Sequence, residues 1–379
     1  MPLPADLVAA WTAAGAEVGW AKDGVFDFHR DGAARDGEVP TFRFDTWPDG
    51  VVAKLPPPQQ AFGLCLFSTK VTDGGVKELA GMARLQILDL GFTSVTDAGL
   101  KELTRFKGLQ AVNLAETRVT DVGMRELAGL TELRVLFLEG CEVTDVGLKE
   151  LARLQRLNWL SLRSTQVSDV GLKELAGLQQ LQSLSLDFTF VTDKGLKELA
   201  RVKKLQKLSI GSSVTITDTG LKEIGQLKSL QWLSVGCTRV TALGLKELTR
   251  LPDLKYLILL GTPVTDAGLK ELASLKGLQT LALHGTQVTD AGLHHLMGLI
   301  KLRSLSVGGT QVTDAGLKAL APLATLQSVD LSFTQVTDVG LKELTGLKNL
   351  RHLDLRKTGV SDAGAATLKK ALPELIIRR

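Results

Sequence analysis

The side chains that could do chemistry in this sequence are few and widely spaced. Five histidines occur among 379 residues, and the three cysteines, Cys65, Cys141 and Cys237, form no CxxC pair. This spacing argues against a zinc site and against a disulfide framework. His294 and His295 are adjacent, so on a helix they diverge instead of sharing one face as metal ligands. We therefore predict no metal and no cofactor, and a reducing compartment with a cytoplasmic location.

Catalysis would have to come from one of two weak constellations. One is His284 with its neighbours, and the other is His29 with Asp27 and Asp31. Neither includes a nucleophile or a set of metal ligands, and the sequence has no Walker loop, GxGxxG, HExxH or GxSxG motif. The sequence predicts a protein that is not an enzyme, and turnover lost on His284→Ala would contradict this.

The charge balance and the apolar runs exclude further classes of function. Lys and Arg total 45 and Asp and Glu total 41, for a net charge of +4. That balance is too weak to predict a nucleic acid or a membrane as partner. The N-terminus lacks a basic segment before its apolar run, and no apolar run approaches the length of a membrane span. We expect neither a secretory signal nor a transmembrane helix.

A repeat dominates the chain instead. A Val-Thr-Asp triplet, or a close variant, occurs thirteen times, with eleven intervals of 24 residues and one of 25. The triplets begin at Val71, Val95, Val119, Val143, Val167, Val191, Ile216, Val240, Val264, Val288, Val312, Val336 and Val360. A fixed period of this length is typical of an array of stacked structural units.

Each copy combines a strand pattern with a helix pattern. In Leu85 to Gly108 the first half, LQILDL, places leucines with the period of two of a strand that has one buried face. The second half, LKELTRF, repeats a large residue at every third position, which forms one stripe along a helix. Stacked copies can bury these stripes in a continuous core, whereas one copy cannot. The sequence predicts an α/β solenoid with a parallel β-sheet on the concave face and helices on the convex face.

Three further positions recur for structural reasons. Asp97 and its equivalents stand where a helix needs an N-cap, and twelve of the thirteen copies keep the Asp, with Ala242 as the exception. Gly99 recurs in every copy, which predicts close packing between neighbouring turns because glycine is a poor helix former. Thr93 and its equivalents follow each strand, with Cys141 in one copy, and predict a polar ladder along the array.

The pattern LxxLxLxxT-x-VTDxGLxxL resembles the repeat of the leucine-rich-repeat proteins, with Thr or Cys where many members have Asn. It is most similar to the cysteine-containing subclass of F-box-associated arrays and to bacterial arrays of the same style. The resemblance covers about residues 61 to 377. It implies a curved horseshoe, and a family whose members bind unrelated partners through variable positions.

The two ends of the chain depart from the repeat. Residues 1–60 hold three of the five tryptophans, a helix pattern, a hairpin pattern that turns at Asp23-Gly24, and TFRFDTW, which matches a degenerate first repeat. We predict a cap over residues 1–60 and a thirteen-repeat array over 61–372. Over 373–379 we predict a C-terminal half-strand cap, whose terminal arginines discourage edge pairing.

Recognition of a partner can use only the strand positions that the repeat leaves variable. Positions three, five and seven of each copy point out of the concave sheet, and most of them are small. The fourth to tenth copies carry larger side chains, of types that anchor interfaces. The predicted binding residues are Phe137, Glu139, Trp159, Arg163, Asp187, Lys207, Trp232, Tyr256, Ile258, Leu260 and His284, with Phe188, Phe190, Thr215 and Arg239 on the rim.

The sequence therefore favours a non-enzymatic scaffold that binds a protein or peptide and is itself a monomer. Two alternatives stay open: an adaptor that recognises substrates for a ubiquitin-ligase-like assembly and docks through residues 1–60, and a consensus-like array without a defined partner.

The one late triplet lies in GSSVTITDTG, where Val214 and Thr215 separate Ser213 from Ile216. The extra residue falls in the loop between strand and helix, where insertions cost little. We predict a local bulge that leaves the repeat register intact and lies beside the aromatic residues.

Overall fold

The computed structural model describes residues 3–22, 26–30 and 34–379. The chain folds as two compact units, one ending at Phe190 and the other beginning at Val191. Both are built from the same strand-and-helix repeat.

The first unit is a sheet with helices on one side of it. Strand β1 is antiparallel to β2, and β2 to β8 run parallel in sequence order. Its strands are β1 (Glu17–Lys22), β2 (Glu38–Arg43), β3 (Phe62–Cys65), β4 (Leu85–Asp89), β5 (Ala111–Asn113), β6 (Val135–Phe137), β7 (Trp159–Ser161) and β8 (Ser183–Ser185). Its helices are α1 (Ala5–Ala13), α2 (Asp73–Glu78), α3 (Asp97–Leu103), α4 (Asp121–Leu127), α5 (Asp145–Leu151) and α6 (Asp169–Leu175).

The second unit repeats this plan with an all-parallel sheet in sequence order. Its strands are β9 (Lys207–Ser209), β10 (Trp232–Ser234), β11 (Tyr256–Ile258), β12 (Thr280–Ala282), β13 (Ser304–Ser306), β14 (Ser328–Asp330), β15 (His352–Asp354) and β16 (Ile376–Arg378). Its helices are α7 (Asp193–Leu199), α8 (Asp218–Ile224), α9 (Ala242–Leu248), α10 (Asp266–Leu272), α11 (Asp290–His294), α12 (Asp314–Leu317), α13 (Asp338–Leu341) and α14 (Asp362–Ala371). No helix in the described part of the chain is long and apolar enough to cross a membrane.

The repeated leucines form the core, as the sequence predicts. Leu88 and Leu90 of one strand segment and Leu100 and Leu103 of the following helix are each 0% exposed. Because every copy contributes the same buried set, the core runs from repeat to repeat within each unit. The predicted solenoid is confirmed.

The recurring aspartate links neighbouring repeats and does not cap its own helix. Thr96 is the N-cap of α3, and its hydroxyl accepts a bond from the Ala98 N–H. Asp97 is the first helical residue, and its carboxylate accepts bonds from the Thr120 N–H at 2.8 Å, the Thr120 hydroxyl at 2.7 Å and the Gly123 N–H at 3.0 Å. The predicted N-cap role of Asp97 is therefore wrong, since the residue before it already occupies that position.

We call the two bonds from the Thr120 N–H and hydroxyl the aspartate clasp. It joins each carboxylate to the next copy's N-cap residue. It recurs in the first unit from Asp73 to Thr96, Asp121 to Thr144 and Asp145 to Ser168, and in the second from Asp193 to Thr217, Asp218 to Thr241, Asp266 to Thr289, Asp290 to Thr313, Asp314 to Thr337 and Asp338 to Ser361. The bonds from Ser361 hold the pKa of Asp338 below its usual value. The first turn of each of these helices is thus held by a carboxylate of the preceding repeat as well as by bonds within its own repeat.

The clasp explains the recurring glycine and exposes one weak link. A Cβ on Gly123 would lie 2.5 Å from Asp97 Oδ1, so any larger residue would displace the carboxylate. Ala242 has no carboxylate to offer, and Thr265, the N-cap residue of the next copy, has no side-chain cap bond. The junction between α9 and α10 therefore lacks the clasp that its neighbours have.

The threonine after each strand bonds locally. The Thr93 hydroxyl donates to the Leu90 carbonyl at 2.6 Å, three residues before it. The predicted ladder is thus a series of buried bonds inside single repeats. Cys141 differs, because its thiol donates to the Leu114 carbonyl of the preceding copy at 3.0 Å and burial raises its pKa.

The N-terminal segment packs on the open side of the first repeat. Trp11 of α1 is fully buried and stacks on Phe42 of β2 with ring centroids 4.1 Å apart. Phe42 pairs in register with Leu64, so β2 extends the parallel strand order of the array by one strand. Strand β1 pairs along its whole length with β2, and the predicted turn at Asp23-Gly24 lies outside the described residues.

The C-terminal segment ends the sheet as a short strand. Residues Ile376–Arg378 form β16, which is parallel to β15. Arg379 donates to the Val360 carbonyl at 2.9 Å and pairs with Asp362.

The late triplet changes only one loop. Leu208 and Ile210 stay buried, and β9 pairs with β10 without a register shift. In other copies a backbone N–H bonds the carbonyl of the preceding triplet's valine, as Gln287 does to Val264. Here the Thr215 hydroxyl at 3.0 Å and the Ser213 hydroxyl at 3.3 Å donate to the Val191 carbonyl.

Candidate functional site

An apolar surface lies on neighbouring strands of the second unit. Trp232 pairs in register with Lys207 on one side and with Tyr256 on the other, so the three side chains lie next to each other on one sheet face. Ile258 is half-buried, and Leu260, two residues further, is 39% exposed. We call Trp232, Tyr256, Ile258 and Leu260 the aromatic strip, with Lys207 at its edge.

His284 lies two residues beyond the end of β12, and its imidazole faces a carboxylate. Its Nδ1 is 3.7 Å from Asp330 Oδ2. The nearby Ser306 hydroxyl donates to the same Asp330 oxygen at 2.7 Å and not to the imidazole. A serine nucleophile needs the imidazole as base, so this geometry does not activate Ser306.

The predicted residues of the first unit are partly covered by the N-terminal segment. The Phe26 ring lies 5.2 Å from the Phe137 ring, and Phe137 lies 5.3 Å from Trp159. These three side chains, with Val39, pack on a buried cluster that includes Ala21 and Val135. Because Phe26 packs against this cluster, Phe137 and Trp159 are only half-exposed, whereas the sequence predicts exposed rings.

The remaining predicted residues of this unit lie near its last two strands. The Arg163 guanidinium lies 4.9 Å from the centre of the Phe188 ring, a cation–π contact. The Ser185 hydroxyl donates to Asp187 at 2.9 Å. Phe190 is 68% exposed.

Two rim predictions fall in the second unit. Arg239 is exposed, whereas the Thr215 hydroxyl bonds the backbone. Val214, at 63% exposed, and Thr215 are both exposed to solvent in this loop.

A cavity of about 450 Å³ lies in the first unit between the strand face and residues 26–28. We call it the acidic pocket, and sequence reasoning missed most of it. Its lining residues are Phe26, Asp27, Phe28, Arg43, Cys65, Phe67, Asp89, Asn113, Phe137 and Glu139. Four phenylalanine rings and three carboxyl groups therefore surround a volume typical of a small-ligand site.

Asp89 is the most buried ionisable group in this lining, at 4% exposed. Its Oδ1 accepts bonds from the Gly91 N–H at 3.0 Å and the Asn113 amide at 2.9 Å. The donor near Oδ2, among the residues that the structure describes, is the Cys65 thiol at 3.8 Å. Burial disfavours the charged form and raises the pKa of Asp89 to about 6. At neutral pH a buried carboxylate with one poorly satisfied oxygen faces this pocket.

The other polar groups of the pocket differ in how they are held. The Ser161 hydroxyl donates to Glu139 Oε1 at 2.7 Å. Arg43 pairs with Asp45 at 3.0 Å and lies 5.8 Å from the centre of the Phe28 ring. Burial and the charge of Asp89 raise the pKa of the Cys65 thiol to about 11, so it stays protonated and is a poor nucleophile. These groups are suited to non-covalent binding of a ligand and not to covalent catalysis.

Metal binding and histidine chemistry find little support in the described residues. Among them, no three His, Cys, Asp or Glu side chains are grouped so as to hold a metal ion. His29 Nε2 lies 2.9 Å from Glu38 Oε1, a contact that the sequence does not predict. Asp31 lies outside the described residues.

Comparisons with known proteins agree with this architecture. Residues 234–377 match the family described as "Leucine-rich repeat region", and residues 130–152 match "Leucine Rich repeat". An internalin from Listeria monocytogenes has a similar structure, with a TM-score of 0.62, 25% identity and 83% of this chain covering 86% of that one. A protein of this repeat class from Leptospira interrogans gives a TM-score of 0.61 at 24% identity, with 89% of each chain covered. No curated protein matches at the level of sequence.

Proposed function

Since this chain is a leucine-rich-repeat protein, we propose that it is a non-enzymatic scaffold that binds a protein or peptide on the strand face of its sheet. The observation that carries the proposal is the aromatic strip. The cysteine-containing subclass stays a prediction.

The strip has the properties of an interface centre. Tyr256 is 37% and Leu260 39% exposed, and Trp232 stands in register beside Tyr256 on a hydrogen-bonded sheet. Large rings held on a rigid backbone lose little conformational entropy when a partner covers them. Tryptophan and tyrosine are also enriched among residues that dominate binding energy. Several of these side chains lie together on adjoining strands, whereas apolar residues scattered singly on a surface need no function.

The experiment compares affinity capture by the wild type and by the double variant Trp232→Ala/Tyr256→Ala. Partners captured from source-cell extract by the wild type are identified, and their affinity for each purified protein is then measured by calorimetry. We expect the double variant to lose at least about tenfold in affinity, as truncation of hot-spot residues does.

The matched control removes exposed apolar side chains from the helical side of the same unit. Leu243 is 75% and Val339 65% exposed, and both follow the first residue of a helix. Leu243→Ala/Val339→Ala should keep the partner, and thermal melts should show that both variants are folded. Equal capture by the strip variant and the wild type would refute the proposal.

A further inference from the structure

The acidic pocket combines features that select one kind of ligand. Phe26, Phe28, Phe67 and Phe137 present rings to it, while Asp27, Asp89 and Glu139 present carboxyl groups. Aromatic faces attract cations, and carboxylates in a partly dehydrated site attract them more strongly than they do in water. A neutral apolar ligand would instead bury these carboxylates without a counter-charge, which is costly.

The single cation of the lining does not cancel this preference. Arg43 pairs with Asp45 and lies over the Phe28 ring, so its charge already has partners. Three carboxyl groups against one guanidinium leave the lining with an excess of two negative charges when all are ionised. An anionic ligand would meet that excess.

Asp89 supplies an independent reason to expect a ligand. A buried carboxylate is destabilising unless it is paired or fully hydrogen-bonded. The bonds from Gly91 and Asn113 both go to Oδ1, whereas Oδ2 has only the weak thiol contact at 3.8 Å among the described residues. A positively charged group in the pocket would supply the missing partner.

We propose that the acidic pocket binds a cationic side chain, lysine or arginine, of a peptide or protein partner. The inference rests on the proposed function, because it assumes a polypeptide ligand, and it adds a specific chemistry in the first unit. The aliphatic part of such a side chain packs on the rings of Phe67 and Phe137 while its charged end meets Asp89 and Glu139. Binding is reversible and involves no covalent step.

The test titrates the full chain with three blocked tripeptides, Gly-Lys-Gly, Gly-norleucine-Gly and Gly-Glu-Gly. Phenylalanine-labelled protein and NMR report whether the pocket rings are contacted. We expect shifts at Phe67 and Phe137 with the lysine peptide, and binding of norleucine weaker by about tenfold or more because it lacks the charge. Equal binding of lysine and norleucine, preferred binding of glutamate, or no response to lysine would each overturn the proposal.

Variants assign the effect to the pocket. Asp89→Asn/Glu139→Gln keeps the shape of both side chains and should abolish the preference for lysine over norleucine. Asp330→Asn is the matched control, because Asp330 occupies the same strand position and accepts the same bond from the N–H two residues on, at 2.9 Å, outside the acidic pocket. A preference that survives the double variant would also overturn the proposal.

The two proposals fail separately. Trp232→Ala/Tyr256→Ala should leave binding of the lysine peptide unchanged, since those residues do not line the acidic pocket. If the strip variant loses its partner while the lysine peptide does not bind, the scaffold function stands and the cationic ligand does not.

Discussion

The carboxylate of Asp97 holds the start of the next helix in the array through the N–H and the hydroxyl of Thr120, at 2.8 and 2.7 Å. The bond pair spans two repeats, so it stabilises their stacking and also satisfies a helix end that would otherwise be open. Stability in this chain therefore depends on these junctions as well as on leucine burial, and the junction at Ala242 is the natural place to test this.

Ala242→Asp should stabilise the protein. The new carboxylate would meet the Thr265 N–H and hydroxyl, which have no such partner now. Hydrogen bonds to a charged group contribute ~1–3 kcal/mol each before entropy is deducted, so we expect a net gain of ~1–2 kcal/mol in the free energy of unfolding. Urea unfolding measures the gain. Leu243→Asp, one residue on and exposed, is the control and should change little; an equal gain there would show that the effect is only one of helix-end charge.

Two glycine substitutions should separate the clasp from helix propensity. Gly147→Ala places a Cβ 2.5 Å from Asp121 Oδ1, which is held by its bonds to Thr144 and Gly147. Gly268→Ala meets the side-chain ends of Val264 and Leu245, at 2.9 and 3.0 Å, and no carboxylate is among its three nearest contacts. We expect Gly147→Ala to cost ~2 kcal/mol or more through overpacking and lost bonds, and Gly268→Ala clearly less because the gain in helix propensity offsets its crowding. Thermal unfolding measures the loss of stability in each variant. Equal losses would contradict the clasp as the reason why glycine recurs at this position.

Asp89→Asn should stabilise the protein at neutral pH and not at acid pH. The folded-state pKa of about 6 lies above the ordinary value of 3.8. Wild-type stability is therefore highest below the unfolded pKa and falls as pH rises through the folded pKa, by up to ~3 kcal/mol. The neutral amide avoids this loss. Chemical unfolding of both proteins at about pH 4 and about pH 8 gives the difference, and a constant difference between the two would show that Asp89 is not the titrating group.

Removal of Thr215 should be milder than its replacement by valine. Deletion restores the common spacing, so that a backbone N–H can again bond the Val191 carbonyl. Thr215→Val keeps the longer loop but leaves that carbonyl with the Ser213 hydroxyl at 3.3 Å, which should cost ~1 kcal/mol. Thr215→Ser is the control that retains the hydroxyl. Melting temperatures order the three, and a deletion that unfolds the chain would contradict the account of this loop.

Phe333 should be replaceable without loss of stability. It is 56% exposed and has a φ of 58°, a conformation for which four other copies have glycine, such as Gly309 at 63°. A left-handed backbone costs a bulky residue ~1–2 kcal/mol, and asparagine tolerates it better. Phe333→Asn should therefore leave the free energy of unfolding equal or higher. A clear loss in calorimetry would show that the ring packs in a way that its exposure does not reveal.

The sequence predicts the repeat, its strands and helices and its buried leucines. These features depend on the local periodicity of apolar residues, and every copy has the same periodicity. It does not predict the partners of Asp97, since a residue ahead of a helix can serve either its own helix or a neighbour's. It also misses the acidic pocket. Phe26 and Phe28 belong to a segment outside the repeat, so the repeat pattern does not place them on the strand face. The one sequence signal for the pocket is the succession of Cys65, Asp89 and Asn113 at a strand position where serine is common.

The aspartate clasp has a consequence for how such a gene can change. Asp97 bonds a residue 23 positions later, and Asp121 does the same with Thr144. A block of 24 residues that is duplicated or excised therefore contains one N-cap residue, which donates the bonds, and one aspartate, which accepts them. The clasp can then form at each new junction between repeats without any point mutation. Arrays of this kind can lengthen or shorten by unequal recombination while each product remains foldable, and a change of a single residue, as in GSSVTITDTG, has to be absorbed in a loop.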